Sequence, residues 1–218
     1  MRDGPASVVR FAAPFLVPFL ALAGSMGCAA ETVSPSPAEE TGSQSSEYRV
    51  NPPDSPLGYH GGTGGHPDWG ISCGAGNIAT AIFGTYSSYI DQFGLDCARV
   101  NEDGSLTPIA PTGWVGGTAG TWFRSACPDN QAIVGLYGRS HTYLDQIGQI
   151  LCAPISGLTG AYLNFELNHY FGSTAGGNGG DFYLDECPVN YAVTYFFVRA
   201  GSWIDAIQGH CQYVNPNQ

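Results

Sequence analysis

Three aspartates recur at equivalent positions along the chain and are its best candidates for chemistry. Asp91, Asp145 and Asp205 are spaced 54 and 60 residues apart, and each follows an aromatic residue by two positions. A carboxylate accepts hydrogen bonds from hydroxyl groups, and a glycine backbone N–H can donate with no side chain in the way. Since the set is repeated, it suits binding better than catalysis, which needs one enclosed pocket.

Other groupings of polar residues lack the spacing that a metal or hydrolase site needs. His60 and His66 lie near Asp68, but no further ligand completes a zinc site, so we expect no metal and no cofactor. No Gly-x-Ser-x-Gly turn, which would present a nucleophilic serine, occurs in the sequence.

One acidic group leaves a catalytic alternative open. Asp181, Asp185 and Glu186 lie close together on a predicted strand and could suggest the carboxylate pair of an enzyme that cleaves glycans. A solvated strand face explains the same residues more simply. We therefore expect a protein that is not an enzyme, with a secreted glycan-acting enzyme as an alternative.

Composition excludes two classes of partner. Charged residues make up 11% of the chain, and 18 acidic residues outweigh seven basic ones, all arginine, for a net charge of −11. A chain this acidic, with no basic run, is a poor candidate for binding nucleic acid or anionic membrane surfaces. The 31 glycines and the 12% of aromatic residues favour strands joined by glycine turns.

The chain contains three copies of one module, near residues 61–115, 116–175 and 176–215. Each opens with Gly-Gly-x-x-Gly and continues through a first cysteine, an apolar segment and the repeated aspartate to a second cysteine. The segments are short, rich in β-branched and aromatic residues and bounded by turns, as strands are. With about four strands in each module, we predict an all-β domain of about twelve strands.

The ends of this domain predict how it closes. The chain stops within seven residues of Cys211, so the third module lacks its fourth strand. Arg49-Val-Asn and Gly58-Tyr-His-Gly-Gly echo Arg99-Val-Asn and Gly113-Trp-Val-Gly-Gly, which precede the second module. We expect residues near 48–60 to lie beside the C-terminal strand, closing a ring of three modules and covering a sheet edge.

Three-fold repetition limits how six of the seven cysteines pair. Equivalent cysteines must pair equivalently, which leaves three of fifteen pairings. Pairing within a module closes loops of 24 or 25 residues and keeps each module self-contained. Each bridge would contribute up to about 3.5 kcal/mol by loss of chain entropy in the unfolded state. We predict the bridges Cys73–Cys97, Cys127–Cys152 and Cys187–Cys211.

The first 28 residues resemble the signal peptide of a bacterial lipoprotein. Two arginines precede an apolar stretch, residues 11–23, which is shorter than the roughly 20 residues that span a bilayer. Cys28, unpaired by the repeats, is the expected site of lipidation, and cleavage after Ala30 is the alternative. Residues 29–47 predict a disordered tether, and residues 48–218 the folded domain. We expect an exported protein, anchored at the cell envelope or surface by its lipid alone and otherwise secreted.

Three four-stranded modules that open with Gly-Gly-x-x-Gly resemble the three-fold β-prism of jacalin-related lectins. The resemblance covers about residues 48–215, although plant jacalins lack these cysteines. Gly201-Ser-Trp-Ile-Asp205-Ala-Ile-Gln208 matches the Gly-x-x-x-Asp loop and apolar strand that such lectins carry near their end. The pattern of one disulfide in each module also resembles that of the vitelline-membrane outer-layer protein, another three-fold β-prism.

The resemblance implies a carbohydrate partner and a site for it. In the family geometry a Gly-x-x-x-Asp loop meets the glycine loop of the next module, so Asp205 would face Gly61 and Gly62. We expect its side chain at an exposed loop end. The implied carbohydrate-binding residues are Gly61, Gly62, Gly201, Ser202, Trp203 and Asp205.

The two other loops are candidate degenerate sites. Ser87 and His141 occupy the positions equivalent to Gly201 in the two other modules. Gly201 is expected to let the loop turn and a sugar approach closely. A cell-surface module with a structural or interaction role and no sugar site is the remaining alternative. The aspartates and glycines of the degenerate sites would pair as Asp91 with Gly116 and Asp145 with Gly176.

Overall fold

The computed structural model describes residues 48–155 and 169–216, which form three antiparallel sheets. The predicted signal, 1–28, and tether, 29–47, lie outside the described residues. Within the described ranges no helix is long and apolar enough to cross a membrane. The strands are β1 (Tyr48–Gly61), β2 (His66–Ser72), β3 (Asn77–Tyr86), β4 (Gln92–Val100), β5 (Leu106–Pro108), β6 (Val115–Gly116), β7 (Thr121–Ala126), β8 (Gln131–Ser140), β9 (Leu144–Pro154), β10 (His169–Phe171), β11 (Ala175–Gly176), β12 (Asp181–Glu186), β13 (Tyr191–Ala200) and β14 (Ile204–Pro216).

Each sheet is built around one long hairpin. The first sheet has the order β1-β14-β13-β2, the second β5-β4-β3-β7 with β6 also on β4, and the third β10-β9-β8-β12 with β11 also on β9. The all-β prediction is confirmed. The expected count of about twelve strands omits β6 and β11, two-residue strands through which the glycine loops pair with the neighbouring hairpin.

Strand β1 closes the ring as its echo of later segments predicts. It pairs with β14 from Tyr48 opposite Pro216 to Gly61 opposite Ala206, with two irregularities in register. Because β14 is thereby flanked on both sides, by β1 and β13, neither of its edges is left open.

The three predicted disulfides are present, but the modules are not self-contained. The first strand of each module, β2, β7 or β12, lies in the sheet built mainly by the preceding module. Cys73 extends the first sheet through its N–H bond to the carbonyl of Thr194, whereas its partner Cys97 lies on β4 in the second sheet. The other bridges, Cys127–Cys152 and Cys187–Cys211, join the second sheet to the third and the third to the first in the same way.

The core lies between the inner faces of the three sheets. Phe93 of β4 and Phe196 of β13 are completely buried and meet edge to face, with ring centroids 5.0 Å apart. Isoleucines and leucines of β3, β8 and β9 surround them in one cluster that draws on every sheet. Burial of each such side chain stabilises the fold by about 1.5–3 kcal/mol, which holds the hairpin ends in place relative to one another.

Candidate carbohydrate-binding site

Each of the three long hairpins ends in a loop that leads into a repeated aspartate. The loop between β13 and β14 contains Gly201, Ser202 and Trp203, and Asp205 is the second residue of β14. Asp145 is likewise the second residue of β9, and Asp91 directly precedes β4.

A glycine loop is joined to each aspartate by its backbone. The N–H groups of Gly62, Gly117 and Gly177 donate to the backbone carbonyls of Asp205, Asp91 and Asp145, over 3.0, 2.9 and 2.9 Å. The structure therefore brings each aspartate to the glycine loop of the next module. Since the N–H of Gly62 is already bonded, it shapes the loop rather than serving as a free donor.

The first glycine of each loop is required by its backbone. Gly61, Gly116 and Gly176 have φ angles of 121°, 106° and 102°, which side chains other than glycine's rarely allow. A Cβ at any of them would also collide with the carbonyl of the paired aspartate. These positions therefore hold glycine for reasons of loop geometry.

The Asp205 carboxylate is buried, so the expectation of an exposed loop end is wrong. Only 5% of the residue is exposed, because Gly64 and Gly65 cross directly over its two oxygens. Burial raises the pKa of Asp205, and the nearby Arg199 and the N–H of Gly201 oppose that rise. Glycine is needed here to let the backbone approach the carboxylate.

The two other aspartates are also buried, with 1% of Asp91 and 6% of Asp145 exposed. The hydroxyl of Ser87 donates to Asp91 Oδ1 over 3.2 Å. Oδ2 of Asp91 and Oδ2 of Asp145 are buried without a hydrogen-bond partner. Burial raises the pKa of both carboxyls, and the Ser87 bond opposes it at Asp91.

Gly201 differs from its counterparts, Ser87 and His141, in having no side chain beside the carboxylate. It is not among the glycines with positive φ, and a Cβ there would lie 3.7 Å from Asp205 Oδ2, an ordinary contact. The expectation that Gly201 is needed for the turn is therefore wrong. Its distinction is that it carries no hydroxyl to occupy the carboxylate, as Ser87 does at Asp91.

A pocket of about 280 Å³ lies at one of the loops that we expected to be degenerate. It is lined by Tyr89, His141, Thr142, Tyr143, Asp145 and Gly180. His141 thus borders a concave surface beside a carboxylate, and the Asp145 loop is a second candidate site.

The three loops share an aromatic cluster that was not among the sequence predictions. Tyr89, Tyr143 and Trp203 contact one another, with ring centroids 5.0–5.6 Å apart. Trp203 remains 38% exposed. The sequence signal for this cluster was that all three residues stand two positions before the repeated aspartate. Three-fold repetition places such equivalent positions around one axis, where they can meet.

The remaining acidic and histidine candidates form no metal site. His60 Nε2 lies 2.7 Å from Asp185 Oδ2 and stacks on Tyr183, while His66 bonds the backbone of Pro67. Within residues 48–155 and 169–216, no group of three or more histidine, cysteine, aspartate or glutamate side chains could hold a metal ion.

Comparison with solved structures places this arrangement among jacalin-like lectin folds. Wild-type Malaysian banana lectin is 23% identical over 76% of this chain and 100% of its own, with a TM-score of 0.51. Artocarpin complexed with Me-α-mannose is 16% identical over 74% and 99% of the two chains, with a TM-score of 0.54. Frutapin, a lectin from Artocarpus incisa, is 18% identical over 74% and 99%, with a TM-score of 0.52.

These similarities define the class of fold. The chain has the three-fold β-prism architecture of jacalin-related lectins. No protein-family model and no curated protein sequence matches the chain at a significant level.

Proposed function

We propose that the protein binds carbohydrate, without catalysis, at the end of the prism where the three loops meet. The observation that carries the proposal is the placement of Asp205 between the Gly61–Gly65 loop and the Gly201–Trp203 loop, beside the partly exposed Trp203. A carboxylate can accept hydrogen bonds from vicinal sugar hydroxyls, and an aromatic ring can cover the apolar face of a sugar.

The known ligand of a neighbour suggests which sugar to test first. Artocarpin has the same fold and was solved with Me-α-mannose. A monosaccharide held by a few hydrogen bonds should bind near millimolar affinity, about −4 kcal/mol. We therefore begin with methyl α-mannoside and compare it with glucosides and galactosides.

The three loops should differ in affinity. Asp205 has no serine hydroxyl on its carboxylate and is the first site in this proposal. Asp145, with its pocket of about 280 Å³, is the second. Asp91 is the weakest because Ser87 already occupies Oδ1.

The test is an NMR titration of wild type, Asp205→Asn and the matched control Asp91→Asn. Asn keeps the shape of the buried side chain, and thermal unfolding verifies that each variant is folded. Asp205→Asn should weaken binding at least about tenfold, because a hydrogen bond to a charged group is worth about 1.5–3 kcal/mol. Equal affinity in a folded Asp205→Asn variant would refute this site. An absence of binding to any sugar by wild type would favour a structural or interaction role.

We also propose that the chain is exported and anchored by lipid at Cys28. The three disulfides support an oxidising compartment, and they leave Cys28 as the odd cysteine. Cys28→Ser should move the protein from the membrane to the soluble fraction. A mature N-terminus at Glu31 would contradict the anchor.

A further inference from the structure

Arg199 bonds to three consecutive carbonyl groups of the glycine loop that covers Asp205. Its Nη2 donates to the carbonyl of Thr63 over 2.7 Å and to that of Gly65 over 3.4 Å, and its Nε donates to that of Gly64 over 2.8 Å. The guanidinium thus fastens β13 to the segment whose backbone lies on the carboxylate.

The equivalent residue of the second module makes a similar contact. Arg139 is six residues before Asp145, as Arg199 is before Asp205. Its Nε and Nη2 donate to the carbonyls of Gly179 and Gly180, each over 2.8 Å. In the first module, Thr85 holds this position and donates one hydroxyl bond to Ala119 over 2.6 Å.

A second side-chain bond holds each of the three glycine loops, but its donor differs in the loop over Asp205. Gln146 Nε2 donates to the carbonyl of Gly177 over 2.8 Å, and Gln92 bonds the carbonyl of Gly117 in the same way. Ala206 occupies this position after Asp205, and the carbonyl of Gly62 accepts instead from the hydroxyl of Tyr59 over 2.7 Å. In the loop over Asp205, Arg199 bonds the three carbonyl groups that follow Gly62, whereas Arg139 bonds two in the loop over Asp145.

The physical need for such a contact comes from the glycines. A glycine loses more conformational freedom on ordering than any other residue, so a loop with four glycines in five residues is costly to hold in one shape. Arginine presents several N–H donors in a rigid planar fork that can bond several carbonyl groups at once, whereas lysine offers a single flexible ammonium.

We propose that Arg199 is a positioning residue, which holds the Gly61–Gly65 loop on Asp205 in the conformation that accepts a sugar. This inference rests on the proposed carbohydrate-binding function, but it also makes a prediction that needs no sugar. The loop is ordered before any ligand arrives, and the order is supplied by the guanidinium fork rather than by positive charge alone.

The experiment uses Arg199→Met, which keeps the aliphatic stem, and Arg199→Lys, which keeps the charge. Arg124→Met is the control, because Arg124 lies on β7 in the second sheet and pairs with Asp96 over 2.6 Å. Heteronuclear NOE values of Thr63–Gly65 are measured without sugar, and the Kd for methyl α-mannoside is measured by titration. Both Arg199 variants should lower the NOE values of the loop and weaken binding about fivefold, with Arg124→Met unchanged.

Each other outcome is decisive. Unchanged NOE values in Arg199→Met would overturn the proposal, and full restoration by Arg199→Lys would overturn the role of the fork. If wild type binds no sugar, the proposed function fails, while the NOE values still decide whether Arg199 orders the loop. If Arg199→Met does not fold, Arg139→Met and the NOE values of Gly179 and Gly180 provide the same test, with a smaller expected effect because Arg139 bonds two carbonyl groups rather than three.

Discussion

The carboxyls of Asp91, Asp145 and Asp205 share an electrostatic property that their sequence repeat alone does not reveal. Each is buried, and burial raises its pKa above the ordinary value of 3.8. A raised pKa in the folded state means that folding favours the protonated form. The stabilisation by each carboxyl is therefore fully present below pH 3.8 and is lost as the pH rises through the folded-state pKa.

We expect Asp91→Asn to raise the free energy of unfolding at neutral pH. Asp91 Oδ2 is buried without a partner, and a neutral amide costs less to bury than a carboxylate. A gain of about 1 kcal/mol would raise the Tm by about 2–4 °C. Thermal unfolding at a series of pH values checks this, since the advantage of the variant should appear only above pH 3.8. A variant no more stable than wild type at neutral pH would contradict it.

A second prediction at this scale concerns Gly201→Ser. The structure has room for the added Cβ, so we expect the free energy of unfolding to change by less than about 0.5 kcal/mol. The new hydroxyl should bond to Asp205 as Ser87 bonds to Asp91, and affinity for methyl α-mannoside should fall severalfold. Calorimetric titration measures the affinity. Unchanged affinity in the folded variant would show that Ser87 does not explain why the Asp91 loop is weaker.

Among the strands, β1 is held to the rest of the domain by two histidine–aspartate pairs. Asp54 of β1 lies 2.7 Å from His210 of β14, and His60 of β1 lies 2.7 Å from Asp185 of β12. Both imidazole rings stack on a tyrosine ring at an interplanar angle of 11°. The strand that closes the ring is thus fastened by side chains on two sheets as well as by its pairing with β14.

Removal of one pair should weaken this closure. Asp54→Ala would leave buried His210 without its Nδ1 partner, at a cost of about 1–3 kcal/mol in the free energy of unfolding. Asp181→Ala, at an exposed position on β12, is the matched control and should change stability little. Denaturant unfolding compares the two variants. Similar stability for both would mean that the Asp54–His210 pair does not hold β1.

For the molecule as a whole, the disulfides connect the three sheets to one another. Each bridge joins two neighbouring sheets, so the three together link the sheets covalently around the ring. At one end of that ring, Tyr89, Tyr143 and Trp203 bring the three hairpin ends together. The repeat unit of the sequence is therefore not a unit of structure, since strands and bridges both cross between modules.

The repeats explain which features could be predicted. Equivalent cysteines and the echo of residues 49–62 were sufficient for the disulfide pairing and for β1 beside β14, because symmetry leaves few choices. The burial of Asp205 was not predictable in this way. It depends on how closely the Gly61–Gly65 loop folds back over the carboxylate, and on the contacts of Arg199 with that loop, which follow from backbone geometry rather than from spacing.

The most direct test of carbohydrate binding is chemical-shift mapping of the wild-type domain with methyl α-mannoside, at concentrations up to several times the expected millimolar Kd. We predict that the backbone amide shifts concentrate in Thr63–Gly65 and Gly201–Asp205, with smaller shifts around Asp145 and the smallest around Asp91. Resonances on the outer face of the second sheet, such as those of Asp96 and Arg124, should not move. Shifts that cluster at the outer face, or no shifts with mannosides, glucosides or galactosides, would contradict the account.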